Sequence, residues 1–220
     1  MIAVITGDLI NSRQYDDPGQ WLTVLKELFA NVTSGPQFWD IYRGDSFQVE
    51  LQAPEEAFST VLKIKSAIRS FKGLDTRLAI GIGEKSYTAS RTAESNGPAF
   101  IHSGELLEEM KERRISLAIR SPWDDLDEEL NTGLSLALVI MDLWKPKTAL
   151  LIHSILRHPG LNQQEIAEVL NMQQAGVSQG IQRAHIRELM EWDIQFRKKL
   201  KTKIDPYDPA HSTAHRSSPG

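Results

Sequence analysis

Asp8 and Asp45 are the first half's best candidates for chemistry, because each follows a glycine and each borders a strand-like run. Residues 2–5 are apolar and largely β-branched, which reads as a buried central strand, and Thr6-Gly7-Asp8 reads as the turn that ends it. Gly44-Asp45 falls between two further strand-like runs, 38–42 and 46–51, and so near the tip of a hairpin. Two carboxylates at one sheet end, with backbone carbonyls nearby, offer the hard oxygen ligands that Mg²⁺ takes when water and substrate phosphate complete its shell. Two such ions orient and polarise a nucleoside triphosphate for in-line displacement. Arg13, Arg43 and Arg91 are the cations at hand for the triphosphate charge. The plainer reading makes Asp8 a turn cap and Asp45 a favoured hairpin residue.

Whether the two aspartates meet depends on the elements around them. Over 20–32, Trp21, Leu25, Leu28, Phe29 and Val32 follow the spacing of one helix face, and Thr33-Ser34-Gly35-Pro36 stops it. Pro54 opens a second amphipathic helix with Ala57, Val61, Ile64, Ile68 and Phe71 inward, and 76–82 is the next strand. The order β-α-β-β-α-β is the ferredoxin-like, split βαβ pattern. Right-handed connection makes the first two strands parallel with a gap that the third fills, antiparallel and next to the first. The hairpin tip then lies at the sheet end where the first strand finishes, so Asp8 and Asp45 are expected to be neighbours. A polar stretch, 84–96, leads to a helix over 98–112 and a short strand over 115–119.

Ile5-Thr6-Gly7-Asp8-Leu9-Ile10-Asn11-Ser12-Arg13, Tyr42-Arg43-Gly44-Asp45-Ser46-Phe47-Gln48 and Asn96-Gly97-Pro98-Ala99-Phe100 together resemble the bacterial SatD family. The resemblance extends to about Lys199 and implies a helix-turn-helix after the first domain. More remotely, the strand aspartate and the Gly-Asp hairpin are similar to class III nucleotidyl cyclases, which implies a metal role for Asp8 and Asp45. Where those cyclases carry an Asn and, four residues on, an Arg that steady the transition state, this chain has Ile101 and Glu105. Their substrate lysine is replaced by Ile41. The resemblance thus implies binding of a nucleotide or metal more than turnover.

In the second half, acidic 124–129 reads as a solvated link, and 134–144 as an apolar helix too short for a membrane. Pro146 starts a helix that His158-Pro159-Gly160 terminates. The strongest motif follows, over 161–183. Ile166 and Leu170 pack a first short helix, small Ala167 admits a second, Asn171 takes a left-handed turn, and Met172, Val177 and Ile181 return to the core. That is the spacing of a helix-turn-helix, and it resembles the sigma-factor type. Gln173, Gln174, Ser178, Gln179, Gln182 and Arg183 would face outward, with groups that read base edges, while Arg183 and the cluster Arg197, Lys198, Lys199 would hold phosphate. A single reading helix gains affinity from a second copy, so a homodimer is expected. The helix over 183–200 is amphipathic apart from Asp193. His211 and His215 fall in a Pro- and Ser-rich tail with no fixed face for a metal.

Composition narrows the classes. At 220 residues without cysteine, disulfides, thiolate metal sites and Cys nucleophiles are excluded. Residues 1–130 carry a net −7 and 131–220 a net +3, within a total of −4, which favours two modules of different partners. No targeting signal or membrane span is visible, and a cytoplasmic protein is expected. The expected architecture is α+β: a ferredoxin-like, cyclase-like sheet domain over 1–125, an all-α helix-turn-helix domain over 126–200 and a disordered tail over 201–220. The function expected is a DNA-binding regulator whose first domain senses a metal-nucleotide with Mg²⁺. The alternatives are a metal-dependent nucleotide-processing enzyme, using the second module for dimerisation or targeting, and a scaffold.

Overall fold

A computed structural model describes residues 1–15, 17–42 and 44–205. Among these the fold is α+β, with one five-stranded sheet and eight α-helices. β1 (Ile2–Ile10) runs through the sheet with β3 (Ser46–Leu51) on one side and β4 (Asp75–Gly83) on the other, antiparallel to both. β2 (Trp39–Tyr42) lies antiparallel outside β3, and β5 (Leu117–Arg120) parallel outside β4, giving the order β2-β3-β1-β4-β5. The third strand therefore fills the place beside the first, as the right-handed connection requires.

β1 corrects the expectation of a turn at residues 6–8. Gly7 and Asp8 sit inside the strand, paired with Phe47 and Ser46 on β3 and with Leu78 and Arg77 on β4. The glycine answers to packing: a Cβ on Gly7 would stand 2.5 Å from Cζ of Phe47, so the ring occupies the space a side chain would need.

Strand alternation divides the sheet into two faces. Ala3, Ile5 and Leu9, with Phe47, Val49, Leu78 and Ile80, join the core beneath α1 (Pro18–Val32) and α2 (Ala57–Arg69). α1 begins where the Asp17 carboxylate accepts the Gly19 amide and Pro18 presets the first turn. Ile2 and Val4 face the other way, packing with Ala99 and Phe100 of α3 (Pro98–Arg113). α3 lies close against β4: a Cβ on Gly81 would fall 2.2 Å from the Ala99 carbonyl oxygen.

The second half is helical: α4 (Asp124–Asp142), α5 (Pro146–Arg157), α6 (Gln163–Val169), α7 (Gln174–Ala184) and α8 (Ile186–Ile204). The acidic stretch 124–129 is not a link. It is the first turn of α4, where three aspartates suit the helix N-terminus, and Leu126 and Leu130 are buried in the same core as Trp21, Ile64 and Phe196. One apolar core thus runs through residues on both sides of position 125. Polar contacts reinforce it: Arg69 of α2 donates to the carbonyls of Asp142 and Trp144 at the end of α4 and pairs with Asp75, while buried Lys65 lies 2.8 Å from Asp75 and 3.3 Å from Asp142. No helix of the described residues is long and apolar enough to cross a membrane.

Candidate functional site

The strand register brings Asp8 and Asp45 next to each other along the backbone. Asp8 opposes Ser46, and the Leu9 amide donates to the Asp45 carbonyl at 2.9 Å. Their carboxylates, however, have separate partners. Nη1 of Arg77, on the neighbouring strand, donates to both Asp8 oxygens at 2.9 and 3.0 Å, and Nζ of Lys111 on α3 lies 3.7 Å away. Asp45 accepts the Ser12 hydroxyl at 2.9 Å. Arg77 also donates through Nε to the Ile115 carbonyl, so its guanidinium is held from two sides. Sequence reasoning missed Arg77 and Lys111. Arg77 stood in a recognised strand, but only the β1–β4 register reveals which residue of that strand opposes Asp8.

The three arginines expected at a triphosphate go different ways. Arg13 is exposed in the 3₁₀ turn Ser12–Gln14 after β1. Arg91 pairs with Asp40 on edge strand β2 at 2.8 Å, two strands from Asp8. Arg43 lies outside the described residues, as do His211 and His215. Ile101 and Glu105 are exposed on α3, where Glu105 comes within 3.7 Å of Arg120. Among the described residues no group of three or more His, Cys, Asp or Glu could hold a metal ion.

Further along the same face, Gln48 donates to the Thr6 hydroxyl at 3.0 Å and Thr6 to Ser103 of α3 at 2.8 Å. Glu50, 1 % exposed, is held by Lys85 at 2.7 Å, whose ammonium also lies 5.9 Å from the ring centres of Phe38 and Phe100. Each polar group here is matched by another from the same chain, as burial demands.

α6 and α7 have the opposite character. Asn162 caps α6, its side chain accepting the Gln164 and Glu165 amides while Glu165 reaches back to the Asn162 amide. Asn171 takes the left-handed conformation at φ 50°, as expected of the residue in the turn. Ile166, Ala167 and Val177 close a small core with Leu151 of α5, and Leu170 and Ile181 pack on it. Gly180 lets α7 approach α5, since a Cβ there would meet Cδ2 of Leu151 at 2.3 Å. The inward stripe Val177, Gly180, Ala184 leaves Gln173, Gln174, Gln179, Gln182 and Arg183 exposed on α7 and at its N-terminal edge; Ser178 is half-buried. Met172 is exposed where it was expected in the core.

The profile of the SatD family matches residues 1–199. The chain belongs to the SatD family. No curated protein matches it. The SatD match runs from the first residue of the chain through the sheet and into α8, so it takes in both the Asp8 end and the α6–α7 pair.

The basic run of this SatD chain is where the structure departs most from expectation. Arg197 does not lie open to phosphate: it binds both Glu56 and the 4 %-exposed Asp193. Lys199 pairs with Glu129, Lys201 with Glu55 and Lys203 with Asp125. Among the residues proposed from sequence, Lys198 is exposed. The cause is geometric, because α8 lies alongside the acidic first turns of α4 and the 3₁₀ turn Pro54–Glu56, which supply the counterions. Arg197 holds the Glu56 carboxyl below its ordinary range, whereas burial pushes Asp193 up against that same guanidinium.

Proposed function

We propose that the chain is a DNA-binding regulator in which α6 and α7 form a helix-turn-helix and α7 enters the major groove. The outward face of α7 carries the reading: a helix seated by one apolar stripe presents four glutamines and an arginine, with no described carboxylate paired to Arg183. Glutamine side chains suit the donor–acceptor pattern of adenine, and Arg183 a guanine edge or a phosphate. Lys145 and Lys147, exposed at the start of α5, add positive charge near the end of α7, where the Trp144 indole donates to the Ala184 carbonyl. A homodimer would place two copies of α7 on half-sites about 34 Å apart.

The sheet domain, read as ferredoxin-like and cyclase-like, is the sensing half of this proposal. The order β2-β3-β1-β4 supports that reading. An Mg²⁺-nucleotide at Asp8 and Asp45 does not suit the arrangement described, because a divalent ion beside Asp8 would meet the Arg77 guanidinium and the Lys111 ammonium. No step is therefore routed through a metal. The enzyme alternative draws on the adjacency of the two aspartates, and it needs Arg77 to release Asp8 first.

The test is selection of bound sequences from random DNA, then fluorescence anisotropy on the selected duplex. Arg183→Ala should weaken binding and reduce the slope of log affinity against log salt by about 1 if it holds a phosphate. Gln179→Ala should cost about 1–3 kcal/mol on the selected site and little on random duplex. Failure of selection to enrich any sequence, or variants indistinguishable from the parent, would reject the reading.

A further inference from the structure

Between α1, α2 and α5 the surface sinks into a cavity of about 420 Å³, within the range of small-molecule sites. Leu28, Val32 and Leu156 give it an apolar wall, and Lys63, His153 and Arg157 a polar one. No described carboxylate lies within ion-pair distance of Lys63, although its charge lowers Glu56 from further off. Arg157 pairs with Glu27 at 3.0 Å, both half-exposed. Lys63 and Arg157 set against Glu27 leave one net positive charge at the opening. His153 carries none, since burial foremost, with Arg157 and His158 behind it, brings its pKa down to about 4.

One atom behind this wall lacks a partner. Nδ1 of His153 is buried and makes no hydrogen bond among the described residues, a state that costs about 1–3 kcal/mol unless something completes it. A cavity that joins an apolar wall to a surplus cation has the chemistry of a site for an amphipathic anion.

We propose that this cavity binds a small organic monoanion, a carboxylate carrying an apolar aliphatic or aromatic body. The carboxylate lies between Lys63 and Arg157, and its body lies along Leu28, Val32 and Leu156. The assignment stands whether or not α7 meets DNA.

Isothermal titration calorimetry of the full chain tests it, with hexanoate and benzoate as probes and with hexanol and inorganic phosphate as controls. The carboxylates should bind saturably, and each control at least about tenfold more weakly. Lys63→Gln and Arg157→Gln should each weaken carboxylate binding about tenfold with an unchanged circular dichroism spectrum, since Arg157 is exposed and Lys63 half-buried. Hexanol binding as tightly as hexanoate would make the cavity an uncharged cleft, and phosphate binding as tightly would remove the role of the apolar wall. Either result overturns the proposal. So does carboxylate binding that neither variant alters, or none detected at about 10 mM.

Discussion

α7 and α8 are consecutive helices that use their polar side chains in opposite ways. α8 carries the chain's densest basic run, and apart from exposed Lys198 its charges turn to partners in the same chain: Arg197 to Glu56 and Asp193, Lys199 to Glu129, Lys201 to Glu55, Lys203 to Asp125. α7 carries little charge, and its glutamines point to solvent. A count of charges would pick α8 as the face open to a partner, whereas the pairing leaves the side chains of α7 as the exposed ones. A side chain whose partner comes from within the chain belongs to the fold, and one left facing water is the one available to another molecule.

Breaking α8 should have the larger effect on stability. Arg197→Gln removes the cation from Asp193, whose side chain is 4 % exposed, and from Glu56. Loss of a buried partner of this kind costs about 3 kcal/mol or more, which urea denaturation at neutral pH will read. A loss under about 1 kcal/mol would mean that the pairs on α8 are as dispensable as surface ion pairs.

His153 sharpens the contrast as a buried group without an internal partner. Its folded pKa, about 4, lies below its ordinary 6.5, so the unfolded chain takes up the proton first. The stability this group contributes is present above pH 6.5 and is lost as pH falls toward 4, by about 3 kcal/mol in all. His153→Gln should flatten that part of the stability–pH curve, and an unaltered curve would show that the imidazole titrates alike in the folded and the unfolded chain. The smallest effect belongs to α7. Gln179→Ala and Gln182→Ala should change stability by no more than about 0.5 kcal/mol, and a larger loss would mean that these glutamines serve the fold.

The element order through residue 83 was legible because the apolar spacing of its strands and helices was unbroken, and the strand beside β1 followed from connection handedness. Gly7 was misread since a glycine admitting the Phe47 ring has the same sequence signature as one at a turn. The acidic start of α4 looked like a linker because Leu126 and Leu130 are only two apolar residues among five carboxylates. Arg77 and the partners of Arg197 were not legible at all. Those pairings depend on register and helix placement between segments far apart, and no local pattern records them.

The reach of Arg197 to Glu56, across 141 positions of sequence, bears on how the protein is made. α2 and the 3₁₀ turn before it leave the ribosome long before α8 exists to cover them. At about 5–20 residues per second, the interval is roughly 7–28 s. During that time Phe58, which ends fully buried and stacked near Phe196, has no covering ring. This part of the core closes only once α8 has been synthesised, so until then the face of α2 that holds Phe58 lacks the ring that covers it in the finished fold.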